Sequence, residues 1–370
     1  MGEKKKKRIK IPGILPGILM GVLLGAALSF LIEKTGADPV ETFLGWMLVL
    51  IGSLILQTML HEGGHMVFGL LSGYSFSSYR IFSLMLVKDA EGRLRLRRLK
   101  VAGTDGQCLL APPDLTDGKI PVLLYNLGGS LMNLLAALAA LLVCAFLPAG
   151  SFWWVALVLF SLTGFSLALL NGIPMRVGPI DNDGRNALTL RRDPAAMYAF
   201  WLQMKVNASL AAGHRLRDMP DEWFYMPAEE EMTSGLVAAQ GVLLCNRLMD
   251  MHCFREAEER MEYMQKQPCM VELHRCLLLC DRMYVEMISQ NRREVIENMR
   301  TKQQLAFMKK MRNNPSVLRT AYAYAVLCVR EEKQGEELLK QFEKASRTYP
   351  YPADIQAERE FIEIAREAAG

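Results

Sequence analysis

The chain has 370 residues, 51% of them hydrophobic, and 43 basic side chains against 39 acidic ones give a formal net charge of +4. Those averages hide two unlike halves: before about Leu190 there are apolar runs of spanning length, and after it charges are frequent and no run reaches the ~20 residues that a bilayer requires. A single soluble domain is thereby excluded, and nothing marks a nucleic-acid partner.

Residues 1–10 (MGEKKKKRIK) form a basic tail ahead of an apolar segment, Ile11–Ile32. That segment exceeds the usual length of a signal-peptide core and lacks a clear small-x-small cleavage site, so it predicts an uncleaved first span. The basic tail then holds the N-terminus on the cytoplasmic side, with acidic headgroups as a secondary partner. Three further spans follow: Phe43–Leu71, Ile120–Leu147 and Phe152–Leu170. Three regions are expected: a basic cytoplasmic tail (1–10), a membrane-embedded domain (11–192) and a soluble helical domain (193–370).

The second span carries His61-Glu62-Gly63-Gly64-His65 inside an apolar run. Residues four apart share a helix face, so His61 and His65 can offer two imidazoles to one metal ion. Glu62 stands beside them, where it can take a proton from water. Ionisable groups in a lipid-facing helix are costly and usually face a cavity and carry function. With the N-terminus inside, span two runs inward and brings the histidines toward the cytoplasmic end. The next segment carries Arg80, Lys88, Arg93, Arg95, Arg97, Arg98 and Lys100, as an internal loop should. Within it, 79–87 and 93–97 flank Asp89-Ala90-Glu91-Gly92 and read as a cytoplasmic β-hairpin. Its leucines and arginines suit the headgroup boundary; an edge strand offered to an unwound substrate is the functional alternative.

A catalytic zinc typically takes three protein ligands. Span four ends in Asn171-Gly172-Ile173-Pro174, and Gly and Pro stop the helix. The chain can then fold back toward the histidines, where either Asp181 or Asp183 can supply a carboxylate.

These residues together resemble the site-2 protease family of intramembrane zinc metalloproteases, in which a His-Glu-x-x-His helix is joined to an Asn-x-x-Pro…Asp-Gly segment. The resemblance covers about Phe43 to Leu190. It implies one zinc per chain held by His61, His65 and Asp183, with Glu62 as catalytic base and Asn171 and Pro174 in the substrate-supporting segment. The interval from Pro174 to Asp183 is longer than the family's, which leaves Asp181 as fallback ligand. The family's Gly-Pro-x-x-Asn pattern is matched by Gly129 and Asn133 with Ser130 for Pro, and Asn133 is expected either to support substrate or transition state or to bond helix to helix. Gly63 and Gly64 leave room for an extended substrate or for close helix packing.

The soluble half reads as consecutive helices. Two stretches, 243–258 and 320–339, resemble tetratricopeptide-like helical hairpins, a class that binds peptides or proteins. A regulatory protein is the partner this implies, and a structural cap is the plain alternative. The eight cysteines show no disulfide framework. A second metal site around Cys276, Cys280, His274 and His252 is less expected than buried thiols in a reducing cytosol.

The sequence thus predicts a multi-pass helical membrane protein of about four spans plus an all-α C-terminal domain, in a bacterial cell membrane. The expected function is a zinc metalloendopeptidase that cleaves membrane-anchored protein or peptide substrates near the cytoplasmic face. A catalytically inactive scaffold of the same fold, recruiting partners through its helical domain, is the alternative.

Overall fold

The computed structural model describes residues 39–89, 91–99, 106–177 and 180–370, together with 21, 22, 25, 26, 29 and 30. The basic tail lies outside the described residues, as does the expected first span apart from those six positions. The chain forms two compact units, Met1–Gly73 with Pro121–Arg192, and Tyr74–Ile120 with Asp193–Gly370.

Among the described residues the first unit contains three long helices, α1 (Pro39–Leu71), α2 (Val122–Cys144) and α3 (Phe152–Gly172), followed by a two-stranded hairpin, β5 (Arg176–Val177) with β6 (Ile180–Asp181), and a short helix α4 (Asp183–Thr189). All three long helices are long and apolar enough to cross a membrane. Their polarity is inside out. Leu48, Leu135, Leu142 and Trp153 are exposed, whereas Gln57, His61, Glu62, His65, Asn133, Ser161 and Thr163 are buried. An apolar exterior of this extent is costly in water and natural in lipid. Helix α2 begins after Pro121 and ends at Cys144, shorter at each end than the expected Ile120–Leu147.

Helices α1 and α2 meet backbone to backbone. A Cβ at Gly128 would lie 2.6 Å from the Gly64 carbonyl oxygen, and one at Gly64 would clash with the Gly128 carbonyl in return. Small residues at such a crossing let two helices approach closely. Gly64 therefore serves helix packing, while a Cβ at Gly63 would meet nothing within 4 Å.

In the second unit, a four-stranded antiparallel sheet has the order β3-β2-β1-β4, from β1 (Ser75–Ile81), β2 (Leu84–Lys88), β3 (Leu94–Arg98) and β4 (Gly106–Ala111). The expected hairpin is present as β2 and β3, with Val87 opposite Arg95. Its first arm, however, is not continuous from 79 to 87. The chain turns at Phe82-Ser83, where Phe82 takes a positive φ of 53°, and Ile81 pairs with Leu84. The segment 74–120, assigned from sequence to the membrane domain, belongs with the C-terminal helices. The Trp201 indole N–H donates to the Pro113 carbonyl at 3.0 Å, Lys205 pairs with Asp114 at 2.8 Å, and the Arg98 N–H donates to the Thr348 carbonyl at 2.8 Å.

The helices of this unit are α5 (Pro194–Ala211), α6 (Gly235–Asp250), α7 (Phe254–Gln265), α8 (Glu272–Ile288), α9 (Arg293–Met299), α10 (Lys302–Lys310), α11 (Pro315–Ala323), α12 (Glu332–Ser346) and α13 (Pro352–Ala369). Pairs α6/α7 and α11/α12 stand where helical hairpins were expected. Helix α11 runs on through a π-helical turn, Tyr324–Val329, and Arg330 ends it in the left-handed region. The core is rich in methionine: Met249, Met261, Met264, Met283 and Met287 are all buried.

Candidate metal centre

His61 and His65 project from one face of α1, as their spacing requires, and α4 brings Asp183 to them. Their ligand atoms lie within 4.8 Å of one another, a cluster that could hold a metal ion. His61 Nε2 is 3.0 Å from Asp183 Oδ2 and 3.2 Å from His65 Nε2, which is 3.5 Å from the same carboxylate oxygen. Among the described residues no other group of three or more His, Cys, Asp or Glu is so arranged. Cys276 and Cys280 are buried thiols whose deprotonation burial opposes, first of all causes, with Cys276 pushed up to about 11.

The outer nitrogens decide what the inner ones can do. His65 Nδ1 lies 2.7 Å from the Tyr125 backbone carbonyl, which can only accept, so Nδ1 carries the hydrogen. His61 Nδ1 lies 2.7 Å from Asn133 Oδ1, while the Asn133 amide donates to the Gln57 backbone carbonyl and to Gln57 Oε1, each at 2.7 Å. Asn133 therefore offers its oxygen, and His61 Nδ1 also donates. In neutral imidazoles both Nε2 lone pairs then face each other, with a carboxylate oxygen beside them. Such a convergence of acceptors is repulsive unless a cation or protons sit among them. Zinc bonds of about 2.0–2.1 Å in tetrahedral geometry separate neighbouring ligand atoms by about 3.3 Å, which the three observed distances straddle. The donor set therefore fits a zinc ion. Hydrogen-bonded partners on the outer nitrogens are the usual support of metal-binding histidines.

Space for these groups comes from glycine. A Cβ at Gly129 would lie 2.5 Å from the His61 ring, and one at Gly164 would lie 2.5 Å from Gln57 Nε2. Gln57, fully buried, donates from Nε2 to the Phe160 carbonyl at 3.1 Å and so ties α1 to α3 while it holds Asn133. Its role was not read from the sequence, although a glutamine one turn before His61 in an apolar helix is itself an anomaly. Gln57→Leu should free the Asn133 carboxamide and lower zinc affinity by about 10–100-fold, measured by competition against a chelator.

Asp183 is positioned by its neighbours. Asn182 caps α4: its Oδ1 accepts from the Arg185 N–H at 3.1 Å and the Met175 N–H at 2.9 Å, and its amide donates to the Leu170 and Ile173 carbonyls at 2.6 Å each. One side chain thus closes the start of α4 and the frayed end of α3. Gly184 is required for the same junction, since a Cβ there would clash with the Gly172 carbonyl oxygen.

The remaining expected residues fall as follows. Glu62 is buried and lies close enough to His65 to interact electrostatically. Asp181 is not one of the clustered ligands and pairs with Arg185 at 3.0 Å and Arg176 at 3.6 Å. Asn171 donates to the Leu167 carbonyl of its own helix at 3.1 Å, and Pro174 is exposed in the loop that leads to β5. Asn133, expected at the substrate or between helices, holds His61 and Gln57. No protein-family model, curated protein or solved structure matches this chain.

Proposed function

We propose that this chain is an intramembrane zinc metalloendopeptidase of the site-2 protease type, acting on a membrane-anchored protein or peptide near the cytoplasmic face. The observation that carries the reading is the convergence of His61 Nε2, His65 Nε2 and Asp183 Oδ2 inside a helical unit whose exterior is apolar. His61, His65 and Asp183 would hold the metal. Bound zinc supplies a Lewis acid that polarises the scissile carbonyl and acidifies water.

The protein's own groups do the rest. Glu62 takes the proton from the attacking water and returns it to the leaving amine nitrogen, which completes general base and general acid steps with one carboxylate. Asn133 and Tyr125 keep both imidazoles in the tautomer that leaves Nε2 bare. A substrate helix has satisfied its own backbone hydrogen bonds, so it must unwind locally before attack. The charge pattern of the sequence favours a cytoplasmic C-terminal unit.

Zinc stoichiometry on detergent-purified full-length protein tests the reading. About one zinc per chain is expected for wild type. It should be lost in His61→Ala and weakened in Asp183→Ala. Asp181→Ala should keep it, because Asp181 is engaged by arginines. A well-folded wild-type protein without tightly bound metal would favour the scaffold reading instead.

A further inference from the structure

The second unit encloses a cavity of about 320 Å³ among α5, α6, α8, α11 and α13. Its size is at the lower end of the range that ligand sites occupy. The lining is unusually polar for the interior of a helical domain, and much of that polarity is unspent. Four carboxylates line it. Asp250 is matched by Arg215, whose Nε is 3.0 Å away, and Arg319 matches both Asp281, from Nη2 at 2.5 Å, and Glu358, from Nε at 2.9 Å. Asp354 has no ion pair or hydrogen bond among the described residues. Two arginines against four carboxylates leave the lining negative, and Asp354 is the carboxylate with no partner among the described residues.

Other groups around the same space are also unpaired. Asn207 on α5 and Asn246 on α6 are half-buried, and neither side chain makes a hydrogen bond among the described residues. His274 Nδ1 and Arg319 Nη1 are buried without a partner, and Arg319 itself is only 1% exposed. Buried polar atoms are almost always satisfied by protein or by water, so His274 Nδ1 and Arg319 Nη1 call for a partner in this space, and the half-buried Asp354, Asn207 and Asn246 leave further polar atoms open to it. The types are informative. A carboxylate in charge excess selects a cation. Each free carboxamide offers one donor face and one acceptor face, which match the C=O and N–H of a peptide unit in extended form.

We propose that this cavity binds the amine-bearing end of an extended peptide, with Asp354 receiving the ammonium and Asn207 and Asn246 bonding the peptide backbone. The ammonium can come from the peptide's own N-terminus or from a lysine side chain. The inference concerns the second unit and stands apart from the metal centre.

Asp354 also carries a cost that a purely structural residue would not. Burial, then Glu358 of its own helix and Asp250 of α6, push its carboxyl up to about 7, and Tyr349 and Tyr351 feel its charge in turn. Its place in the first turn of α13 offsets part of that cost through the helix dipole. An acid whose folded pKa is raised destabilises the fold increasingly as pH climbs from the unfolded pKa through the folded one. Above pH 7 the uncharged Asp354→Asn protein should therefore unfold at a higher temperature than wild type.

Calorimetric titration of full-length protein in detergent, with trialanine, N-acetyl-lysinamide and N-acetyl-trialaninamide as probes, tests the site. At least one amine-bearing probe should bind at millimolar concentration, and the uncharged probe should not. Trialanine alone binding identifies an α-amine as the ligand group; N-acetyl-lysinamide alone identifies a lysine. Asp354→Asn should weaken the bound probe by about tenfold or more, in line with loss of a charged hydrogen bond, despite being the more heat-stable protein. Asn246→Leu should weaken trialanine while leaving the unfolding temperature in place. Absence of binding by both amine probes to folded wild type overturns the proposal. So does equal binding of the uncharged probe, or an affinity that Asp354→Asn leaves unchanged.

Discussion

Glu62→Gln is expected to lower peptide-bond hydrolysis by about 10²–10⁴-fold, the range that general acid–base catalysis supplies, while zinc stays bound. The reasoning is geometric. His61, His65 and Asp183 converge without Glu62, so the metal should not depend on it. Glutamine has the same shape and size as glutamate, and the buried position should accept it without repacking. What disappears is the ability to take a proton from water and hand it to the leaving nitrogen. His61→Ala, by contrast, should lose metal and activity together. Cleavage of a membrane-anchored reporter in proteoliposomes, with zinc measured on the same preparations, separates the two variants. Wild-type turnover by the Glu62→Gln protein would remove Glu62 from the chemistry even if zinc is present.

What could be read from the sequence was what depends on local periodicity. The i, i+4 spacing of His61 and His65 fixes a shared helix face whatever surrounds it, and the apolar runs mark the long helices by length alone. Asp183 was reached by its likeness to a known pattern, and the structure adds the reason for its placement, the Asn182 cap and the bare backbone of Gly184 against Gly172. Gln57 was out of reach because its meaning lies in Phe160, 103 residues away, and in Asn133, 76 residues away. Asn133 itself was read with the substrate as one possible partner, since nothing in the sequence says that a histidine will claim its oxygen. The sheet shows a different limit. Phe82-Ser83 lacks the glycine or asparagine that announces a tight turn, so one apolar stretch hid two strands. The segment 74–120 shows a related limit: it follows a span in sequence, but Met85, Val87 and Leu110 are buried within the unit that also contains α5.

Arg319→Met is expected to destabilise the second unit by about 3–5 kcal/mol at pH 8, the usual consequence of removing one partner from a buried ion network. Arg319 is 1% exposed, bonds Asp281 and Glu358, and lies over the Tyr284 ring at 4.4 Å. Methionine can fill the volume but leaves two carboxylates without a counter-ion. Burial already pushes Glu358 upward, and Arg319 is what opposes it. With the arginine gone, Glu358 should have a folded pKa still further above its unfolded one, so the deficit should grow as pH rises through that window and shrink as pH falls toward 5. Adding Asp281→Asn and Glu358→Gln should recover much of the loss, because replacing a whole buried ion network is often close to neutral. Chemical unfolding at pH 5 and pH 8 measures all three effects. A deficit below about 1 kcal/mol, or one independent of pH, would mean that water reaches these carboxylates well enough to replace the arginine. The network would then be a solvated lining of the cavity rather than a brace for its walls.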